Sequence, residues 1–231
     1  IYPYQKHKKT HAKALISISD YNEPHYFIAL GSANITQGGF GGGNLEFIEA
    51  FSNFKIFKGL SPISKAIKEY LIETFLPVIA DEVNGLPKRQ IEKIAASLKK
   101  VKGKGDWPQI MGNQNNSLIA QMLNTNGQKI SNDELHILSP YHGTTRNIFN
   151  DHFSKPRWII GNKESILQVS NDKYDFHRLN DDRALHAKAY LIKRQVTYLL
   201  YYGSANCSEN ALCKTVDKNG GQLEILLSRK I

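Results

Sequence analysis

Two sets of reactive side chains occur in this sequence in the same order. The segments THAKALISI, IALGSANIT and GGNLEFIEAF carry His11, Lys13, Ser32, Asn34 and Glu46. The segments LHAKAYLI, YYGSANCS and GGQLEILLS carry His186, Lys188, Ser204, Asn206 and Glu224. From the histidine to the glycine of GSAN is 20 residues in the first set and 17 in the second, and from the asparagine to the glutamate 12 and 18. Constant order with variable spacing is the pattern of one duplicated unit whose loops have diverged. If the copies pack about a pseudo-twofold axis, two imidazoles, two ammoniums and two carboxamides meet in one pocket. That set suits cleavage of a phosphodiester without a metal. A neutral histidine attacks phosphorus and becomes a phosphohistidine, while a protonated one gives its proton to the leaving oxygen and later activates water. Lysine and asparagine donate to the non-bridging oxygens, where charge grows in the transition state.

The elements that must position these groups follow from periodicity. Residues i and i+2 of a strand share a face, so each His-x-Lys pair is expected to project together. Runs 12–19, 26–30 and 45–51 read as three adjacent strands, and 187–192, 196–202 and 223–227 repeat them. Residues 61–80 have helical spacing, with Ser61 as cap, Pro62 in the first turn and Pro77 as the residue that ends or kinks the helix. Residues 88–104 start as a basic amphipathic helix and dissolve into a Lys/Gly linker. Strand 135–139, the turn Pro140-Tyr-His-Gly143, a helix over 144–153 and strand 158–160 form a βαβ-like lead-in to the second copy. No equivalent precedes His11. With Ile1 rather than Met at the start, the chain reads as part of something longer. The expected fold is α/β with mixed sheets: two pseudo-symmetric halves, 1–85 and 131–231, with a basic helix and linker over 86–130 and a shared site at the interface.

Composition narrows the partners. The 231 residues include 30 Lys+Arg and 21 Asp+Glu, giving a net charge of +9, which favours a polyanion such as nucleic acid over an anionic membrane surface. Charged residues at 22% and apolar residues at 41% describe a globular chain rather than a disordered one. Two cysteines, Cys207 and Cys213, make neither a disulfide framework nor a four-ligand zinc site, and no apolar run is long enough to span a membrane.

The duplicated HxK and GSxN motifs resemble the phospholipase D (HKD) superfamily, over both motif-bearing halves and most of the chain apart from the linker. The usual signature has an Asp five residues after the Lys; here those positions are Ile18 and Lys193. This departure, with an acidic residue following GSxN, is more similar to the nuclease and tyrosyl-DNA phosphodiesterase branch than to the lipases. The resemblance implies that His11 is the nucleophile and His186 the general acid, and that Glu46 and Glu224 orient the histidines. Lys13, Lys188, Asn34 and Asn206 complete the catalytic set, and Ser32 and Ser204 are expected to touch substrate. No cofactor or metal is expected. The implied activity is that of a cytoplasmic nuclease acting on DNA or RNA, with a defence or restriction module joined to a helicase or other ATPase as one setting. Alternatives are a phospholipid-acting phospholipase D or phosphatidyl transferase, and a nucleic-acid-binding module without catalysis.

Other features have plainer readings. The glycine cluster Gly38–Gly43 is a connection between strands, because no P-loop Lys-Ser/Thr follows it. Lys99, Lys100, Lys102 and Lys104 form a solvated linker or a patch that tracks a nucleic-acid backbone. His142 marks a turn that could reach the pocket, while His7, His25, His136, His152 and His177 show no ligand spacing. Tyr201, Tyr202, Trp107 and Trp158 are read as core or strand residues rather than base-stacking platforms.

Overall fold

The computed structural model describes residues 11–19, 23–34, 36–124, 134–141, 149, 153, 156–160, 175–180, 182–194, 196–216 and 221–231. In the first copy, alternating side chains form strands β1 (Lys13–Ile18) and β2 (Tyr26–Gly31). Helix α1 (Gln37–Phe40) and strands β3 (Asn44–Leu45) and β4 (Ile48–Ser52) follow. The glycine cluster is thus partly a helical turn, capped by the Thr36 hydroxyl, which accepts from the Gly39 amide. β1, β2 and β4 make a three-stranded antiparallel sheet with β2 in the centre.

Next come α2 (Lys65–Tyr70), a π-helical turn over Leu71–Phe75, α3 (Leu76–Asp81) and α4 (Leu86–Lys100). The cap of α2 is Ser64, whose hydroxyl accepts from the Ile67 amide, and not Ser61, which bridges to Phe51 at the sheet edge. Pro77 does not end the helix. The wider turn just before it, with the Leu76 amide reaching back to the Leu71 carbonyl, lets the helix continue through a residue without an amide hydrogen.

The chain after α4 also supplies β5 (Gln109–Gly112) and α5 (Leu118–Asn124), within the segment expected as helix and linker. Strands β6 (Glu134–Leu138), β7 (Arg157–Ile160), β8 (Asp175–Arg178), β9 (Ala184–Leu185), β10 (Ala189–Arg194), β11 (Thr197–Gly203) and β12 (Ile225–Lys230) complete the order. A seven-stranded sheet runs β5-β12-β11-β10-β6-β7-β8, antiparallel from β5 to β6 and parallel from β6 to β8. The parallel β6–β7 pair fits the βαβ lead-in. The helix expected at 144–153 lies outside the described residues except for the buried Phe149 and Phe153, and His142 lies outside them as well.

The two copies repeat a local order. β2 sits between β1 and β4, and β11 between β10 and β12, all antiparallel. One hydrophobic core packs Ile28, Leu30 and Phe51 of the first sheet and Ile67 and Leu71 of the helices against Leu223, Ile225 and Leu227 of the second sheet. Tyr202 donates to Glu49 at 2.7 Å, and Arg229 pairs with the same carboxylate, so β11 and β12 are tied to β4 by polar contacts too. Tyr201 and Tyr202 are buried, as the sequence implies, whereas Trp107 is partly exposed.

The runs 45–51 and 223–227, expected as continuous strands, are both interrupted at the glutamate. β4 begins at Ile48 and β12 at Ile225. Just before the breaks, the carbonyls of Leu45 and Leu223 turn to the other copy. Leu45 O accepts from the amides of His186 and Ala187 at 3.0 and 2.7 Å, and Leu223 O from those of His11 and Ala12 at 2.9 and 2.8 Å. The glycines of GSAN let the segment after each break pass close by within its own copy. A Cβ at Gly31 would lie 2.1 Å from the Phe47 carbonyl oxygen, and one at Gly203 would lie 2.4 Å from that of Ile225. Gly31→Ala is expected to push these backbones apart and destabilise the fold by about 1–3 kcal/mol, as overpacking does. Urea denaturation checks this, and an unchanged midpoint would show that the close approach can relax.

Candidate active site

The histidines and lysines do not meet through strand periodicity. β1 starts at Lys13 and β10 at Ala189, so His11, His186 and Lys188 lie on the segments leading into the strands. Each lysine folds back onto its own motif: Lys13 Nζ donates to the His11 carbonyl at 2.6 Å, and Lys188 Nζ to the His186 carbonyl at 2.5 Å. Lys188 is fully buried. Burial lowers the pKa of Lys13 to about 8, against the opposing attraction of Glu224 and Glu46.

Each histidine is held by the glutamate of the other copy. His186 Nδ1 lies 2.7 Å from Glu46 Oε1. His11 Nδ1 lies 2.9 Å from Glu224 Oε1 and 3.1 Å from the Ser204 carbonyl, and the carbonyl is the better aligned of the two as a hydrogen-bond acceptor. The imidazoles retain 28% and 22% side-chain exposure, while the Glu224 and Glu46 side chains retain 0% and 5%, so the rings can meet a ligand and the carboxylates cannot. Burial raises the carboxyl pKa of Glu46. Hydrogen bonds from His186 and Ser32, with the charges of His186 and Lys188, outweigh it and hold the group below its ordinary value.

Ser32 and Ser204 are not positioned to touch substrate. Both are fully buried, and their hydroxyls donate to Glu46 Oε2 and Glu224 Oε2, each at 2.5 Å. The two hydroxyl oxygens also accept from the amides of Phe47 at 2.9 Å and Ile225 at 3.0 Å. Serine therefore serves the carboxylate, which holds the imidazole.

The asparagines stay nearer the surface in one copy than in the other. Asn34 is exposed and, with Lys13 and Gly31, lines a cavity of about 180 Å³. Asn206 is half-buried, and its Oδ1 is buried without a hydrogen-bond partner among the described residues. Leaving such an acceptor unpaired costs about 1–3 kcal/mol, a penalty that a donor on a bound molecule would relieve.

Asn113 belongs to this site although no motif marks it. Its Oδ1 accepts from the Glu224 amide at 2.9 Å, and its Nδ2 donates to the carbonyls of Lys214 at 3.1 Å and Gln222 at 2.6 Å. It fixes the backbone that carries Glu224. A lone asparagine in MGNQ gives no sequence signal of this role. Of the other histidines, His25 stacks on Phe54 with ring centroids 5.2 Å apart, and His136 lies 3.7 Å from Glu134. His177 is exposed, and His7 and His152 lie outside the described residues.

No protein-family model matches the sequence, and no curated protein is similar to it in sequence. Solved structures do match. A crystal structure of yeast tyrosyl-DNA phosphodiesterase superposes with a TM-score of 0.60 at 16% identity, over 94% of this chain and 66% of the yeast chain. The SCAN1 mutant of the yeast enzyme superposes at 0.55, with 15% identity and the same coverage. Polyphosphate kinase from Porphyromonas gingivalis superposes at 0.51 with 10% identity, over 96% of this chain and 31% of the kinase. The chain thus has the phospholipase D-like fold and spans just under two thirds of the yeast chain's length. Among the described residues no helix is long and apolar enough to cross a membrane.

Lys13 provides a test of this geometry. Its pKa falls from 10.5 in the unfolded chain to about 8 in the folded one, so the unfolded chain binds more protons between those values. The cost of burying charged Lys13 is fully present below pH 8 and is relieved as pH rises toward 10.5. The stability of wild type relative to Lys13→Met is therefore expected to increase across that window in urea titrations at stepped pH. A difference independent of pH would place the ammonium in water.

Proposed function

We propose that this chain is a metal-independent phosphodiesterase that cleaves nucleic acid in two steps through a phosphohistidine. The observation that carries this reading is the crossed pairing of His11 with Glu224 and of His186 with Glu46, at 2.9 and 2.7 Å. An acceptor at Nδ1 fixes the ring tautomer and leaves Nε2 as the reactive nitrogen. The two rings differ in a way that suits two roles. The best-aligned acceptor beside His11 Nδ1 is the uncharged Ser204 carbonyl. The acceptor beside His186 Nδ1 is the Glu46 carboxylate.

His11 Nε2 attacks phosphorus, forming the N–P bond as the P–O bond to the leaving group breaks. His186 gives its Nε2 proton to the departing oxygen. Now neutral, His186 takes a proton from water, whose oxygen attacks phosphorus and breaks the N–P bond. Lys13, Asn34 and Asn206 stabilise the non-bridging oxygens, and the fully buried Lys188 acts through the His186 backbone that it holds. Ser32, Ser204 and Asn113 act through the glutamates as positioning residues. The two motif-bearing halves are read as one duplicated unit whose copies share this site. A net charge of +9 and a fold shared with a tyrosyl-DNA phosphodiesterase support a nucleic acid as substrate.

The test is cleavage of labelled single- and double-stranded DNA and RNA in excess EDTA. His11→Ala and His186→Ala are each expected to slow cleavage by about 10²–10⁴-fold or more, the range for losing an acid–base group. With a substrate whose leaving group needs no proton, a covalent protein–nucleic-acid adduct is expected to build up in His186→Ala and to be missing from His11→Ala. The opposite pattern would exchange the two roles. Hydrolysis of phosphatidylcholine with no cleavage of any nucleic acid would replace the substrate class.

A further inference from the structure

The end of the first sheet remote from the histidines carries a second set of features that the proposed reaction does not use. β2 runs from Tyr26 to Gly31, so its far end lies about 17 Å from the GSAN turn at roughly 3.3 Å per residue. At that end β4 leaves the sheet into the loop Asn53-Phe54-Lys55-Ile56-Phe57-Lys58. Aromatic and apolar side chains there alternate with lysines, and Ile56 and Phe57 are 78% and 40% exposed. Phe54 and Phe57 meet edge to face with centroids 5.9 Å apart, and Phe57 also meets Phe27 at 5.3 Å.

This loop is a built feature. Asn53 Oδ1 accepts from the Tyr26 amide at 2.8 Å, and Asn53 Nδ2 donates to the Pro24 carbonyl at 3.0 Å. The Phe54 amide donates to the Ser52 hydroxyl at 3.1 Å, and the Phe57 amide to the Phe54 carbonyl at 3.2 Å.

Beside it, with Asn53 in its wall, lies a cavity of about 380 Å³ rimmed by Lys100, Lys102 and Lys104, with Glu23 as its one lining carboxylate. The lysine segment is pinned in place. The Lys104 amide donates to the Ile63 carbonyl at 2.8 Å, the Lys65 amide to that of Gly105 at 3.2 Å, and Lys68 Nζ to that of Val101 at 3.2 Å. Among the described residues none of the three lysines, nor Lys55 or Lys58, forms an ion pair. Three cations to one carboxylate around a concavity suit phosphates, and the exposed Phe57 ring beside them suits a stacked base, a pairing that marks single-stranded nucleic-acid grooves.

We propose that this face is a second nucleic-acid contact. Phosphates of a single strand lie against Lys100, Lys102 and Lys104, and one or two bases stack on the Phe57 side of the loop. The inference extends the nucleic-acid reading above but needs no catalysis, so binding is measured in His11→Ala protein. Fluorescein-labelled oligothymidylate is titrated in a salt series and followed by anisotropy. The variants are Lys102→Ala/Lys104→Ala and Phe57→Ala, with inorganic polyphosphate and phosphatidylserine-containing vesicles as further probes.

The lysine pair is expected to weaken oligothymidylate binding about tenfold and to reduce the salt slope by about 0.7 for every phosphate that is no longer neutralised. Phe57→Ala is expected to weaken it about fivefold or more, the effect of losing one stacked base, while leaving polyphosphate binding unchanged. Affinity and salt slope unchanged in both variants would overturn the proposal, as would binding of vesicles but not oligothymidylate through Ile56 and Phe57. If His11→Ala protein binds the oligonucleotide through this face and wild type cleaves none, the catalytic reading fails while this one stands. Cleavage by wild type with binding indifferent to both variants is the reverse case.

Discussion

The burial of two carboxylates governs how this chain must fold. Glu224 is fully inaccessible and Glu46 nearly so. An unpaired carboxylate in such surroundings costs several kcal/mol, so donors must be brought to it. The donors come from two directions. Each carboxylate takes a serine hydroxyl from its own copy, Glu46 also takes the His186 imidazole from the other copy, and Glu224 has the His11 ring 2.9 Å away. The first half alone does not satisfy Glu46. Sliding the interface by a residue would break the Glu46–His186 hydrogen bond, a directional constraint added to the apolar packing. The Glu49–Tyr202–Arg229 contacts apply the same rule farther out, where a β4 carboxylate takes its donors from β11 and β12.

That constraint explains the local irregularities. A continuous strand through Leu45 and Phe51 would present Glu46 to one face of its own sheet. Ending the pairing with β9 at Leu45 and starting that with β2 at Ile48 frees Glu46 to turn toward His186. The break at Glu224 has the same cause. The glycine of GSAN is required because a carbonyl of the adjoining segment passes where a Cβ would stand. Serine is required because a small buried hydroxyl can accept an amide hydrogen and donate to a carboxylate at once. The motif reads as a list of catalytic groups, yet half of it is the scaffold that aims the other half.

The sequence made the strands of both copies legible, because alternating side chains and flanking turns are local properties. The helix after the first copy was legible in extent. Its true cap, Ser64, and its passage through Pro77 were not, since both depend on which carbonyls the neighbouring loop leaves available. β5 escaped notice because four residues next to a Lys/Gly stretch carry little periodic signal, and only the open edge of β12 makes them a strand. Resemblance pointed to a glutamate beside each histidine, but the crossing of partners between copies is a tertiary fact. The serines were misassigned for the same reason. Two residues before an asparagine in sequence, they turn their hydroxyls to the buried glutamates. Asn113 was invisible, since its role depends on a strand more than a hundred residues away.

Duplication alone would make two equal histidines, and equal histidines cannot be nucleophile and acid in the same step. The chain departs from equality around both rings. The Nδ1 of His11 aligns with a carbonyl and that of His186 with a carboxylate. The lysine beside His186 is fully buried, while Lys13 borders a cavity and burial lowers its pKa to about 8. The sheets differ as well, three strands against seven among the described residues. The two motif sets supply matching groups, and what surrounds each set differs. For the proposed reaction that inequality is the functional content of the fold, and the shared motif is only its starting material.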